Sequence, residues 1–453
     1  MVRTGKRSIP MKIQLSDHFT FGRLLRFTWP SIVMMVFTSI YSVVDGIFVS
    51  NYAGKTAFAA VNLIMPYLMV FGTVGFMIGT GGTALISMTL GMGDRKKANE
   101  LFSMLTYASI LCGVIFTALS IVFLRPAAIL MGATGQMLED CVLYGTIIQL
   151  ALTAYLLQYA FQSFCITAEK PNLSLTMMVS AGVCNILLDA LFVAVFRWGL
   201  VGAAAATAIA QYVGAVIPLI YFIRPNDSLL RLGKCGFDGK AMLRTFTNGS
   251  SELMNSVSMS LVSMLYNLQL IRYAGEDGIA AYGVIMYVNF FFAAVFIGFT
   301  IGAAPIIGYH YGAENHRELK NMFRKCLLVV GLFAMVMTGA ALLLARPLSQ
   351  IFVGYDAQLL EMTVRGFTIY CLSFLLCGFN IFGSSLFTAL NNGLISAVIS
   401  FVRTLICQIA AVTLLPLVFG LDGIWMAIVA AELVALILTV FCFVKFKDRY
   451  HYL

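Results

Sequence analysis

Two aspartates stand in segments otherwise built almost wholly of apolar residues. Asp189 lies within residues 173–196, LSLTMMVSAGVCNILLDALFVAVF, and Asp45 within the first apolar stretch of the chain. A carboxylate at bilayer depth costs about 2.5–3.5 kcal/mol on insertion scales and by default marks an ion or substrate path. Asn185 precedes Asp189 by one helical turn, so the two side chains share a face. Thr207 stands on the following stretch. Packed side by side, these stretches bring together two carboxyls, an amide and a hydroxyl: Asp45, Asn185, Asp189 and Thr207. Such a group can hold a proton shared between the carboxyls, or surround Na+ with oxygens. A polar knot that only ties helices together is the competing reading. Two acids with no obvious basic partner in that half of the chain speak for function.

The elements that must position these residues are membrane helices. The chain has 453 residues, 60% hydrophobic and 11% charged, against about 25% charged in a soluble domain. Twelve stretches reach the roughly 20 residues that a bilayer crossing needs. They fall near 27–50, 57–88, 99–124, 142–167, 173–196, 199–223, 249–272, 279–309, 322–345, 364–388, 394–418 and 422–446. An all-α integral membrane protein follows, and an even count puts both termini on one side. Most of the 29 Lys and Arg lie on that side: before the first stretch, at Arg95-Lys96-Lys97, in 224–244, in 317–325 and after the last stretch. The positive-inside rule makes it cytoplasmic, and a bacterial inner membrane is the expected location. The net charge of +9 is then a topology signal, and no nucleic-acid partner is expected. The basic N-terminus has no small-residue cleavage site, so it reads as an uncleaved first span. Ten cysteines are scattered without a C-x-x-C pair and read as buried small hydrophobes; no cofactor is expected.

The chain also repeats itself at one fixed offset. Tyr52-Ala53-Gly54 returns as Tyr273-Ala274-Gly275, Gly91 as Gly312, Arg125-Pro126 as Arg346-Pro347, Thr167-Ala168 as Thr388-Ala389, and Gly199-Leu200-x-Gly202 as Gly420-Leu421-x-Gly423. Two six-span halves run parallel and are related by a pseudo-two-fold axis along the membrane normal. The expected division is a first lobe over 1–223, a cytoplasmic linker over 224–247 and a second lobe over 248–453. Two similar bundles leave a central cleft whose exposure alternates when they rock. The acids break the symmetry: Asp45 pairs with Tyr266, Asn185 with Ile406 and Asp189 with Ala410.

Other residues admit two readings each. Pro30 either kinks the first span ahead of Asp45 or starts its helix. Glu252 heads a polar stripe with Asn255, and either contacts an ion or substrate or caps a helix start. Arg403 and Glu432 read as a mutually neutralising pair. Gln158, Gln162 and Gln211 either line a cavity or tie helices together. Met34, Tyr41, Met259 and Met286 are cavity candidates, since thioethers and rings suit apolar cations. Gly79-Thr80-Gly81-Gly82 follows no strand, and Gly54-Lys55-Thr56 lacks the upstream glycine of a P-loop. With no nucleotide motor, transport must run on a gradient.

Trp29-Pro30 with Asp45 beyond it, Gly91-Met92-Gly93-Asp94, Ala168-Glu169-Lys170-Pro171, Asn185-x-x-x-Asp189 and the turn at Gly199 with its echo at Gly420 occur here in order. On these the chain resembles the multidrug and toxic compound extrusion (MATE) family, and within it the bacterial MepA-like branch. The resemblance implies two six-helix lobes in a V and export of lipophilic organic cations against H+ or Na+ entry. It puts Asp45, Asn185, Asp189 and Thr207 in a first-lobe ion pocket, Pro30 at a bending proline, and Glu252 at an acidic position of the seventh span. Some relatives add an aspartate in the tenth span, where this chain has Asn380 or Ser384. The expected partners are small cationic molecules and membrane lipids, with the chain a monomer. A lipid-linked oligosaccharide flippase is the alternative, but it would need a cationic cavity. No catalytic His-Ser set supports an enzyme.

Overall fold

The protein's structure, a computed structural model, describes residues 13–49, 52 and 55–453. The basic cluster ahead of residue 13 and the Ala53-Gly54 half of the first repeat match lie outside the described residues. Five helices and a broken one build the first half: α1 (Phe21–Phe48), α2 (Lys55–Gly91), α3 (Arg95–Leu130), α4 (Gly135–Leu150) bent by 54° against α5 (Leu152–Thr167), α6 (Pro171–Asp189) and α7 (Gly199–Ile223). The second half holds α8 (Gly239–Gly312), α9 (His316–Val353), α10 (Ala357–Tyr370), α11 (Phe374–Ala389), α12 (Gly393–Phe401), α13 (Cys407–Phe419) and α14 (Leu421–Tyr450). The 74-residue α8 is two crossings joined at Gly275, whose φ of 64° breaks the helical path. Among the described residues the chain therefore crosses twelve times. Its outward faces are apolar, as on Val122 and Phe123 of α3 or Leu343 of α9, because only lipid can cover such a surface.

The duplication holds at the level of backbone detail. Asp94 caps α3 and its counterpart Asn315 caps α9. Gly199 and Gly420 both sit at positive φ, 56° and 60°, and open α7 and α14. The break between α4 and α5 at Ala151 has its counterpart at Leu372, inside the 3-10 turn Cys371–Ser373. One expected boundary moves. Residues 239–247 are helical, so the connection between lobes shortens to 224–238, and Asp238 caps α8 through Lys240 and Ala241. The amphipathic first turns of α8 carry Lys240 and Arg244, which hydropathy alone reads as loop. Pro30 lies nine residues inside α1, where it removes a helical hydrogen bond; it does not start the helix.

The lobes meet where backbones touch. A Cβ on Gly81 would collide with the Thr245 carbonyl, on Gly249 with that of Met77, on Gly91 with that of Tyr309, and on Gly312 with that of Met88. These contacts join α2 to both crossings of α8. A Cβ on Gly298 would stand 2.6 Å from Ile32 Cα, so the start of α1 also nests against α8. All five sites lie toward the end that carries the basic loops.

Below this seam runs a non-helical strap, residues 13–20, with a turn at residues 15–17. Leu15 and Phe19 are fully buried. The Leu15 N–H donates to Glu169 Oε1 of the first lobe at 2.7 Å. The Phe19 N–H donates to Glu318 Oε1 of the second at 2.9 Å, and His18 Nδ1 lies 2.7 Å from Glu318 Oε2. Asn321 and Lys325 donate to the Phe19 carbonyl at 3.1 and 2.5 Å. Glu318→Ala should therefore cost about 1–3 kcal/mol, as expected for lost charge-assisted bonds to buried backbone. In detergent this reads as a lower Tm, whereas Glu139→Ala, which breaks an exposed pair with Arg125, should leave Tm in place. Equal Tm values for both variants would show that the strap does not hold the lobes.

Candidate functional site

The first-lobe polar residues converge. Asp45 lies near the end of α1, Asn185 and Asp189 on the last turns of α6, and Thr207 on α7. Asn185 Nδ2 donates to Thr207 Oγ1 at 3.3 Å, and Thr207 Oγ1 in turn donates to Asp45 Oδ1 at 3.5 Å. Asp189 is 0% exposed. Both of its oxygens are buried without a hydrogen-bond partner among the described residues, and Asp45 is its acidic neighbour. Ionised carboxylates only accept, so the two acids bond only with a proton between them.

Local structure explains the convergence. α6 ends at Asp189 and continues as the π-helical turn Ala190–Val195, a widening frequent at functional sites. Gly182, two turns before Asp189, lets α1 approach: a Cβ there would stand 2.5 Å from the Phe37 ring and 3.0 Å from that of Tyr41. Those rings pack on each other at 6.0 Å and set the rotation of α1 that turns Asp45 toward α6. Tyr144 of α4, 1% exposed, sits within electrostatic reach of both acids. Nothing in its local pattern separates it from the other 18 of the chain's 19 tyrosines, so its place beside the acids is tertiary information.

A second feature is a cavity of about 390 Å³ above the seam between α2, the two crossings of α8, and α11 to α14. Glu252, Asn255, Met259 and Met286 line it, with Phe76 and Thr80 from α2. Glu252 lies thirteen residues inside α8, so it does not cap the helix start. Tyr266 and Tyr282 stack in the wall at 5.0 Å. Arg403 and Glu432 form the expected pair, Nε to the two carboxylate oxygens at 2.8 and 3.0 Å. Asn380 donates to the same carboxylate at 2.7 Å. Ser384 belongs to a chain of hydroxyls with Ser396 and Ser400, each at 2.8 Å, a grouping that no local sequence pattern signals. Met34, Tyr41, Gln158, Gln162 and Gln211 lie inside the first lobe, off this wall. Gln158 and Gln162 point their amides at the sulfurs of Met178 and Met35, 3.2 Å in each case, and Met34 takes a 3.1 Å contact from Ser174.

Twelve crossings in two similar lobes, a cavity between them and a separate buried acid pair define a membrane transporter. The MatE family model matches the chain twice, over residues 30–191 and 253–413, one match per half, and the chain belongs to that family of multidrug efflux transporters. It is 25% identical over 431 residues to the multidrug export protein MepA of Staphylococcus haemolyticus, covering 95% of this chain and 94% of that one. With MepA of Staphylococcus aureus it shares 25% identity over 418 residues, 92% of each chain. Among solved structures, a multidrug resistance MATE family transporter in an outward-facing conformation superposes with a TM-score of 0.91 at 20% identity, over 97% of this chain and 99% of that one. A MOP superfamily transporter from Pyrococcus furiosus superposes at 0.88 with 21% identity, over 96% of each chain. The last two establish the fold.

If the α1–α6 contact sets the acid pair, Gly182→Leu should disable the protein while leaving both carboxyls in place. Ethidium efflux should fall at least tenfold in Gly182→Leu, and less in Gly182→Ala, at matched expression. Full efflux in Gly182→Leu would separate the acid pair from this packing.

Proposed function

We propose that this protein is a secondary active antiporter of the inner bacterial membrane, with cytoplasmic termini, exporting lipophilic organic cations in exchange for H+ or Na+ by alternating access. The observation that supports it most directly is Asp189: a fully buried carboxyl whose one neighbour of like kind is Asp45. Structural helix pairing alone would favour an amide or hydroxyl there, since a buried acid without a basic partner is expensive. Two carboxyls, Asn185 and Thr207 offer oxygens enough to share a proton or to surround Na+, and both ions remain in the proposal. The cavity above the seam, with Glu252 amid methionines and aromatic rings, suits a flat lipophilic cation.

The proposed cycle runs through α1. Its first turns bury Leu24, Phe27 and Ile32 in the core of the second lobe, and its far end carries Asp45 against α6. An ion taken up from outside changes what Asp45 and Asp189 can bond to. α1 then shifts about Pro30, where its hydrogen-bond ladder is already interrupted. The glycine seam closes the cytoplasmic end while substrate leaves to the outside. A flippase fits less well, because a pyrophosphate needs several free cations, whereas this cavity adds the acid Glu252 and an arginine already paired with Glu432.

Asp189→Asn keeps the shape of the side chain and removes its ionisation. Everted vesicles carrying that variant should lose ethidium transport by more than tenfold at normal expression, while the wild type responds to an imposed pH gradient or to a Na+ gradient and thereby names the ion. Unimpaired transport by Asp189→Asn would sink the coupling role, and a wild type that answers to neither gradient would sink the antiport reading.

A further inference from the structure

Arg403 is paired in an unusual way. It projects from the π-helical turn Val402–Ile406 into the wall of the cavity. A guanidinium held for structure alone commonly offers its fork, two parallel N–H groups, to the carboxylate. Here Nε alone serves both oxygens of Glu432, and neither terminal nitrogen makes a hydrogen bond among the described residues. They are not sealed off either: the Arg403 side chain keeps 17% exposure against 3% for Glu432, and its nitrogens are absent from the buried polar atoms left without partners, where Asn255 Oδ1 of the same wall is found.

The far side of Glu432 shows how the arginine is held. Asn380 Nδ2 donates to Glu432 Oε2 at 2.7 Å and to its backbone carbonyl at 2.9 Å. Thr439 Oγ1 fixes that amide by donating to Asn380 Oδ1 at 2.8 Å. Glu432 is thereby locked on α14, and it in turn holds Arg403, a residue of the cavity wall, through Nε alone, which leaves the two terminal nitrogens without a hydrogen bond among the described residues. A planar, pre-oriented donor pair in an enclosed space matches a carboxylate bidentately. The charged residues of the cavity wall are Glu252, Arg403 and Glu432. Glu432 cancels most of the charge of Arg403, and Glu252 adds a carboxyl on the α8 side. Multiply charged anions are disfavoured in such a field, and a molecule with one carboxylate and one cationic nitrogen on an apolar or aromatic body is favoured.

We propose that Arg403 is a carboxylate anchor of the cavity, so that the protein binds zwitterionic amphiphiles with their carboxylate on the Arg403 fork and their cationic group toward Glu252. This rests on the reading of the cavity as the substrate site. Arg403 sets specificity: a substrate without the carboxylate still has the apolar walls and Glu252, but leaves the fork unused.

Rhodamine B and its ethyl ester test the anchor, since they share one cationic ring system and differ in a free against a blocked carboxylate. Fluorescence polarisation on the purified protein gives both Kd values. The wild type should bind the acid about tenfold more tightly than the ester, the size of one charge-assisted bond. Arg403→Lys keeps the charge but not the fork, and the ratio should fall toward one, mostly by weakening of the acid. The double variant Arg403→Met/Glu432→Gln removes both charges together and avoids a stranded Glu432; it should lose the ratio too, which guards against misfolding of the single variant. Equal wild-type Kd values, or a Lys variant that weakens both ligands by the same factor, would overturn the anchor. Ethidium efflux from proteoliposomes made with the same preparation separates this from the export reading. Efflux without acid preference removes the anchor alone, whereas acid preference without efflux supports the anchor and removes the export reading.

Discussion

The architecture depends on backbone contact between α2 and α8. Gly81, Gly91, Gly249 and Gly312 each rest on a carbonyl of the facing helix, and no side chain can be accommodated at those points. In a membrane there is little hydrophobic drive to hold helices together, so association relies on close packing at small residues. The seam is thus both strong and narrow. It binds the lobes at the basic-loop end, leaves them free to diverge above it, and makes the cavity a consequence of where the glycines stop. The strap of residues 13–20 doubles this fastening with polar bonds to Glu169 and Glu318, one in each lobe. Any state in which the cavity opens at the basic-loop end must break both.

The two halves treat buried charge in opposite ways. In the first, Asp45 and Asp189 are neighbours with a hydroxyl and an amide for company and, among the described residues, no cation paired with them. In the second, the position matching Asp45 is Tyr266, whose hydroxyl donates to Gln408 Oε1 at 2.9 Å, a neutral bond in place of an acid pair. The charge of that half lies in Glu252 on the cavity wall and in Arg403 and Glu432, which pair with each other and are braced by Asn380 and Thr439. On the proposed function, the asymmetry separates a lobe that answers to the ion from one whose polar groups serve recognition.

Much of this was legible in the sequence, and the failures have physical causes. The twelve crossings follow from apolar length, and the repeat fixed the two-lobe arrangement because matched residues such as Gly199 and Gly420 do the same backbone work. Convergence of Asp45, Asn185, Asp189 and Thr207 followed from the cost of burying acids. The start of α8 did not, since Lys240 and Arg244 lie on helical turns beyond the apolar window, and with it went the capping reading of Glu252. The strap carries no periodic pattern; its value lies in backbone N–H groups that no sequence motif advertises. Tyr144 and the Ser384–Ser396–Ser400 chain depend on which helices become neighbours, which is tertiary information. The face that Arg403 leaves free depends on a rotamer, which no one-dimensional pattern encodes.

The proposed ion site lies within the first lobe and the cavity is lined mostly by the second, so any coupling must travel through an element with two arrangements. α1 has the contacts for it, rooted in the second lobe's core at Leu24, Phe27 and Ile32 and ending on α6 at Phe37 and Tyr41. Energetics then depend on what occupies the cavity. On the proposed exchange, a monovalent cation leaving for one entering H+ or Na+ moves no net charge. It is driven only by the ion's concentration gradient, about 1.4 kcal/mol per tenfold. A zwitterion anchored on Arg403 carries no net charge, so the same exchange moves one charge inward and gains about 2.3 kcal/mol per 100 mV of membrane potential as well. The arginine that selects a carboxylate would thus also decide whether the membrane potential contributes to export, without any change in the ion site.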